Sequence, residues 1–243
     1  MQEIPESWYT SWFDSPYYHI LYKDRDYSEA AAFMDNLTAA LDLPKTSHIL
    51  DLACGRGRHS IYLAGLGYQV TGADLSPKSI AAAKKHERPG LRFVIHDMCL
   101  PFLESFDAIF NLFTSFGYFE SANDNLRAIR AIRQNLAPGG IGVIDFLNVN
   151  HVAKHLVADE EKTVDGIRFK INRKIDEKFI TKTISFTDDG KEYSFAERVS
   201  AMDLDQFKAY FEIAGVELIT TYGNYQLDLY DPNTSERLIL IFK

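Results

Sequence analysis

Three carboxylates stand at the ends of three successive apolar segments: Asp51 within Ile49-Leu50-Asp51-Leu52-Ala53, Asp74 closing Tyr68–Asp74, and Asp97 directly after Leu91–His96. Between the first two runs Cys54-Gly55-Arg56-Gly57-Arg58-His59-Ser60, a passage from strand to helix in which glycine allows a sharp turn and close approach of a ligand. A Gly-x-Gly alone admits two ligands. A dinucleotide fold sets a pyrophosphate on such a helix N-terminus and places a third glycine three residues after the second, where this chain has Ser60. An anion at Asp51 repels a pyrophosphate but suits an ammonium, so the pattern favours a cationic ligand. At the second strand end, Asp74 is placed to accept both hydroxyls of a ribose, and Asp97 to accept the exocyclic amine of adenine.

These groups need a frame that delivers strand ends to one edge. Apolar residues recur at helical spacing from Tyr27 to Leu43 (Ala30, Phe33, Leu37, Leu41), and Pro44 closes that segment. Strands are expected over Ser47–Ala53, Tyr68–Asp74, Leu91–His96, Phe106–Leu112 and Ile141–Leu147. Helices are expected over Arg58–Leu66, from the Ser76-Pro77 cap to Glu87, and over Asn123–Leu136, the last stopped by Pro138-Gly139-Gly140. This alternation implies a parallel sheet with right-handed crossovers, whose strand ends bind ligands.

Beyond Asn150 the pattern changes to alternation over Lys162–Arg173, Lys174–Thr187 and Lys191–Ser200, with Asp188-Asp189-Gly190 as a hairpin turn. An antiparallel meander inserted after the fifth strand is expected there. Asp203 then caps a helix that stops at Gly215, and Val216–Tyr222 and Glu236–Phe242 read as two closing strands. The opening carries Trp8, Tyr9, Trp12, Phe13, Tyr17, Tyr18, Tyr22 and Tyr27, an arm that either packs on the main domain or closes over a ligand.

Composition bounds the rest. The 243 residues are 46% hydrophobic and 25% charged, with a net charge of −8, globular proportions without a general attraction to phosphate. Two cysteines make no disulfide framework, the start lacks a basic leader and no apolar run reaches membrane-spanning length. The expectation is a soluble cytoplasmic protein with a small-molecule substrate, no nucleic-acid or membrane partner, and homodimerisation left open.

Asp51-Leu-Ala-Cys-Gly-Arg-Gly, Asp74, His96-Asp97-Met98 and Leu136-Ala-Pro-Gly-Gly together resemble the class I S-adenosylmethionine-dependent methyltransferases. The resemblance implies an α/β, Rossmann-like, doubly wound seven-stranded sheet with an antiparallel last strand. Its divisions are an aromatic arm over 1–45, a cofactor-binding core over 46–150 and 201–243, and the β insertion over 151–200. Tyr18-His-Ile-Leu-Tyr22 with Asp26-Tyr27 is similar to the arm of small-molecule N-methyltransferases, nearest to amino-sugar N,N-dimethyltransferases and more loosely to glycine N-methyltransferase. Carried over by position, the resemblance implies that Asp51, Ala53, Cys54, Gly55 and Gly57 hold the methionine side of S-adenosyl-L-methionine. Asp74 and Leu75 match the ribose and adenine wall, Asp97 and Met98 the adenine clamp, and Asn111 and Leu112 the segment beneath the reactive methyl. Tyr18 and Tyr22 match arm tyrosines.

Methyl transfer from a sulfonium is an in-line displacement in which the protein supplies orientation and a dry site. An amine acceptor must be neutral and a hydroxyl needs a base, for which His19, Tyr18 and Tyr118 are the candidates. Phe116 and Phe119 either wall a cation or fill the core. Arg58 and His59 read as locally hydrogen-bonded and Cys99 as packed. His151 and His155 share a helix spacing but lack a third ligand, so no metal site is expected. The expected activity is methyl transfer to a small molecule, foremost to an amine nitrogen. An O-methyltransferase, an NAD(P)-dependent oxidoreductase and a non-enzymatic nucleotide-binding module are the alternatives.

Overall fold

Apolar runs of five or six residues bury both faces only by pairing edge to edge between helices, and that is the main body of this protein. The computed structural model describes residues 8–23, 27–119 and 121–243; the beginning of the arm and Asp26 of its motif lie outside the described residues. In chain order, α1 (Trp8–Phe13), α2 (Pro16–Leu21) and α3 (Tyr27–Ala40) lead into β1 (His48–Leu52), α4 (Arg58–Gly65), β2 (Gln69–Asp74) and α5 (Pro77–Ala83). Next come β3 (Leu91–Ile95), β4 (Phe106–Asn111), α6 (Ala122–Asn135), β5 (Leu136–Leu147) and α7 (Val149–His155). A four-strand passage follows: β6 (Asp159–Val164), β7 (Ile167–Ile175), β8 (Phe179–Asp188) and β9 (Lys191–Ser200). The chain closes with α8 (Leu204–Ala214), β10 (Leu218–Tyr222) and β11 (Arg237–Phe242).

The main sheet runs β10-β11-β5-β4-β1-β2-β3. Its pairs are parallel except those of β11, which is antiparallel to both β5 and β10. The expected doubly wound sheet with an antiparallel last strand is therefore what the chain forms. Strand order reverses between β1 and β4, so the loops leaving these strands part and open a crevice at their carboxyl ends. Phe106, Ile109, Phe146 and Phe242 fill one face against α6 and α8, while Phe33, Leu63, Phe93 and Phe110 fill the other against α3 and α4.

The second sheet, β6-β7-β8-β9, is antiparallel throughout. Its apolar face does not pack on the main sheet. It receives the arm: Trp8, Trp12 and Leu21 are buried with Phe169, Ile171, Ile184 and Phe186. Burying rings of this size at about 25 cal/mol per Å² is what fixes the arm in place.

Three elements differ from expectation. The first meander segment, expected as continuous over Lys162–Arg173, is two strands, because Asp165 (φ 50°) and Gly166 (φ 81°) form a two-residue turn with both residues at positive φ. The fifth strand starts at Leu136 rather than Ile141: Leu136 pairs with Phe106, and the Ala137–Gly140 passage bulges before pairing resumes at Ile141 opposite Ala108. The short helix α7 occupies the start of the segment expected as β insertion, capped by the Asn148 side chain.

Candidate active site

The β1 and β4 ends, the arm and the second sheet line a half-open cavity of about 620 Å³, within the size range of small-molecule sites. Its floor is the loop after β1. Ala53 (φ 61°) and Gly55 (φ 57°) turn that loop so that Cys54 N donates to Ala73 O at 2.9 Å and Gly57 N to Cys54 O at 2.9 Å. Asp51 is 1% exposed and accepts the Ser60 hydroxyl. Burial pushes its carboxyl up to about 6, partly opposed by the hydrogen bonds from Ser60 and reinforced by the charge of Asp74. Asp74 takes Gly55 N at 2.8 Å on one oxygen and Ser76 N at 2.8 Å on the other. Its carboxyl is also raised, chiefly by burial against those backbone donors. Leu75 N–H also bonds this carboxylate, which with up to four acceptor positions keeps capacity for a ligand hydroxyl. Asp97 accepts Cys99 N at 2.9 Å, and Leu75 and Met98 supply the apolar walls beside it.

The wall after β4 is held from behind. Asp145 on β5 is fully buried and accepts Arg237 Nε at 2.8 Å and Nη2 at 2.6 Å. Its other oxygen accepts Phe113 N at 2.9 Å and the Tyr225 hydroxyl at 3.2 Å. Arg237 also donates to the Thr114 hydroxyl at 2.9 Å. Phe113 (φ 64°) and Thr114 (φ 58°) both sit in the left-handed region, which costs a non-glycine residue about 1–2 kcal/mol. The Phe113 ring thereby meets the His59 ring at 5.1 Å and lies 4.3 Å below the Arg58 guanidinium. Burial, with Arg58 second, lowers His59 to about 3, so its imidazole is neutral.

Above lie Tyr9 and Phe13 of α1, Tyr18 and His19 of α2, Tyr22, Tyr118, Phe119 and, from β9, Glu197. Trp12 Nε1 and the Tyr22 hydroxyl each donate to Glu197 Oε1 at 2.7 Å, tying arm to second sheet over the cavity. His19 is lowered, first by burial and then by the Arg56 charge, against an opposing pull from Asp14.

Of the residues expected to form the site, Tyr18, His19, Tyr22, Asp51, Ala53, Cys54, Gly55, Asp74, Leu75, Asp97, Met98, Leu112 and Tyr118 line this one cavity. Gly57 and Asn111 stand behind its wall. Gly57 begins α4 at φ 85°, where a Cβ would fall 2.6 Å from the Phe93 ring, and Asn111 is buried in β4 with its amide donating to Leu52 O at 3.0 Å. Phe116 belongs to the core against Phe207, whereas Phe119 reaches the cavity. Arg58, His59 and Cys99 face the cavity too, a placement their local sequence did not indicate. Glu197 was missed, although a signal existed: Tyr193, Phe195 and Val199 share its strand face, and a carboxylate in an apolar row is out of place. His151 and His155 stack on each other at 4.1 Å on α7. No helix among the described residues is long and apolar enough to cross a membrane.

Residues 49–140 match the family model described as methyltransferase domain. A putative methyltransferase of Bacillus subtilis, YqeM, is 37% identical over 133 residues, which are 51% of this chain and 54% of that protein. A ubiquinone biosynthesis O-methyltransferase of Cereibacter sphaeroides is 34% identical over 122 residues, 50% of this chain and 49% of its own. The chain spans about half the length of the curated relatives it matches. An S-adenosylmethionine-dependent methyltransferase from Clostridium acetobutylicum superposes with a TM-score of 0.79 over 93% of this chain and 95% of its own, at 21% identity. The sugar N-methyltransferase KedS8 from Streptoalloteichus gives 0.69 over 92% of each chain, also at 21% identity. At such identities the two structures establish the shared fold.

Proposed function

We propose, for a chain that carries a class I methyltransferase domain of the family that uses S-adenosylmethionine, that it transfers a methyl group to a small molecule, foremost to an amine nitrogen. The observation that carries this reading is the half-open cavity in which carboxylates at three strand ends lie with aromatic side chains of the arm and the second sheet. The residues present fit the cofactor. Asp51, a carboxylate whose proton affinity burial has raised, complements an ammonium; Asp74 offers two oxygens to a ribose; Asp97, Leu75 and Met98 offer an acceptor and apolar faces to adenine. A pyrophosphate over the same loop would lie against Asp51, which disfavours a dinucleotide.

When bound, the cofactor supplies an electrophilic methyl that needs no metal. The protein's own part is to orient, to exclude water and to move a proton. The rings of the arm, tied to the second sheet by Trp12 and Tyr22 on Glu197, cover one side of the site and shield it from water. An ammonium acceptor has no lone pair until it gives up a proton, and His19, whose neutral form burial and then Arg56 favour, is the side chain beside the site that can accept one. Tyr18 and Tyr118 orient the acceptor beside it. A concave site of about 620 Å³ is of the size that small-molecule ligands fill.

Calorimetric titration with S-adenosylhomocysteine, with NADH as control, tests the cofactor; incubation with S-adenosylmethionine and parallel sets of small amines and alcohols tests the acceptor. Micromolar binding of the first ligand alone, with methylated products among the amines, is the expected result. No heat with S-adenosylhomocysteine would overturn the proposal, and turnover confined to alcohols would move it to the O-methyltransferase reading, which the Cereibacter relative's name favours.

A further inference from the structure

We propose that Glu197 is the acceptor-recognising residue, its carboxylate receiving the cationic nitrogen of an amine against the aromatic wall. This rests on the methyltransferase reading and adds the acceptor's class of charge and the residue that reads it.

Glu197 projects from the middle of β9 on the face that carries Tyr193 and Phe195, whose rings pack on Tyr17 and Trp12. It is 21% exposed and borders the cavity that Tyr9, Phe13, Tyr18 and Tyr118 also border. An ionised carboxylate among rings is costly unless its acceptor capacity is filled. One oxygen is filled: Oε1 takes Trp12 Nε1 and the Tyr22 hydroxyl, each at 2.7 Å. Oε2 accepts no hydrogen bond among the described residues, where the cation paired with it is Lys182, whose Nζ stands 3.6 Å away, beyond hydrogen-bond distance, and also donates to the Tyr22 hydroxyl. Oε2 therefore keeps acceptor capacity, for which a ligand cation would compete with the Lys182 ammonium.

The surroundings suit the same guest. Rings present negative faces to a cation, an attraction that strengthens where water is displaced. Lys23, Arg56, Arg58 and Arg127 also line the cavity, so the preference for a cation is local to the Glu197 end, where an anionic group would meet the carboxylate. The two donors that fix Glu197 both come from the arm, so the carboxylate is oriented only when the arm is docked on the second sheet. The cofactor carboxylates belong to the main sheet, hence cofactor and acceptor are read by separate parts of the fold.

The test uses the full chain saturated with S-adenosylhomocysteine and two probes of one shape, cyclohexylamine (a cation at neutral pH) and cyclohexanol, titrated by ligand-observed NMR. The amine is expected to bind the wild type more tightly than the alcohol. Glu197→Gln, which keeps an oxygen for Trp12 and Tyr22, should weaken the amine about 10-fold or more, the loss of one charge-assisted contact. Its affinities for the alcohol and for S-adenosylhomocysteine should stay within twofold of wild type. Lys182→Met removes the competing cation and should tighten the amine severalfold, an effect of opposite sign that remains readable if the glutamine variant folds poorly. Equal amine affinity in wild type and Glu197→Gln, or no preference of the wild type for amine over alcohol, overturns the proposal. If S-adenosylhomocysteine fails to bind, the methyltransferase reading falls by itself, and the same probe comparison on the unliganded protein decides the role of Glu197.

Discussion

The buried carboxylate at the end of β1 makes an opposed pair of effects on one substitution, Asp51→Asn. Lifting this carboxyl from its ordinary 3.8 to about 6 by burial costs the ligand-free fold about 3 kcal/mol once the group is ionised, at 1.36 kcal/mol for each tenfold change in proton affinity. A raised folded-state value means the native protein binds more protons than the unfolded chain between pH 3.8 and about 6. The group's contribution is thus full below pH 3.8 and is lost as pH rises through 6. Asparagine carries no such cost and keeps an oxygen for Ser60. The variant should match wild type in thermal stability near pH 3.8 and exceed it by roughly 6–12 °C at pH 8, at about 2–4 °C per kcal/mol for a chain of this size. Cofactor affinity should move the other way, falling about 10- to 150-fold as one charge-assisted hydrogen bond to an ammonium is lost. In the wild type, affinity should decline as pH falls through 6, and S-adenosylhomocysteine binding near that pH should release protons, seen as a dependence of the calorimetric heat on buffer ionisation. Scanning calorimetry across this range with titrations at each end checks both arms. A variant no more stable than wild type at pH 8, or one with an equal gain at both pH extremes, refutes the assignment of burial strain to Asp51.

Asp74→Ala should weaken S-adenosylhomocysteine by about 1–3 kcal/mol in calorimetry, since ribose hydroxyls lose a charged acceptor and Gly55 N loses its tie. Arg237→Met leaves Asp145 buried without its cation and should cost about 3–5 kcal/mol in urea unfolding. Adding Asp145→Asn should recover most of that loss, and a double variant no better than the single one would place the energy elsewhere. Gly57→Ala forces a side chain into φ 85° and against Phe93. Left-handed strain of about 1–2 kcal/mol and overpacking of about 1–3 kcal/mol should lower the melting temperature while S-adenosylhomocysteine affinity also drops, because α4 starts at that residue.

The parallel sheet was legible because each strand is an unbroken apolar run and each crossover helix carries its own stop or cap, signals that are local. The bulged start of β5 was hidden by Pro138-Gly139-Gly140, which locally reads as a terminator; only the edge of β4 opposite Leu136 makes it strand. The turn at Asp165-Gly166 was present in the sequence, but the flanking alternation continues on both sides and masks the reversal. Cavity residues on the β1, β2 and β3 loops were readable for the reason that they follow strand ends in order. Glu197 was harder, since its function depends on Trp12 and Tyr22 from the far end of the chain.

Positive φ at Ala53, Phe113 and Thr114 was not readable at all, as alanine, phenylalanine and threonine each prefer the opposite sign. Such conformations persist only where other contacts over-determine them. Here those contacts are long-range: Cys54 N on Ala73 O for the first, and Asp145 with Arg237 for the second and third. The strained backbone, the ionisable group that burial penalises and the carboxylate on an apolar strand face all border one cavity. The proposed ligands account for this disagreement between local preference and global fold: an ammonium would restore favourable solvation to Asp51, and a cationic acceptor would meet the Glu197 carboxylate. On that account ligand binding should stabilise this protein by more at pH 8 than at pH 5, where Asp51 is protonated before the ligand arrives, and thermal shifts with saturating S-adenosylhomocysteine at the two pH values measure the difference. Equal shifts at both would mean that the strain at the cavity is relieved by something other than charge.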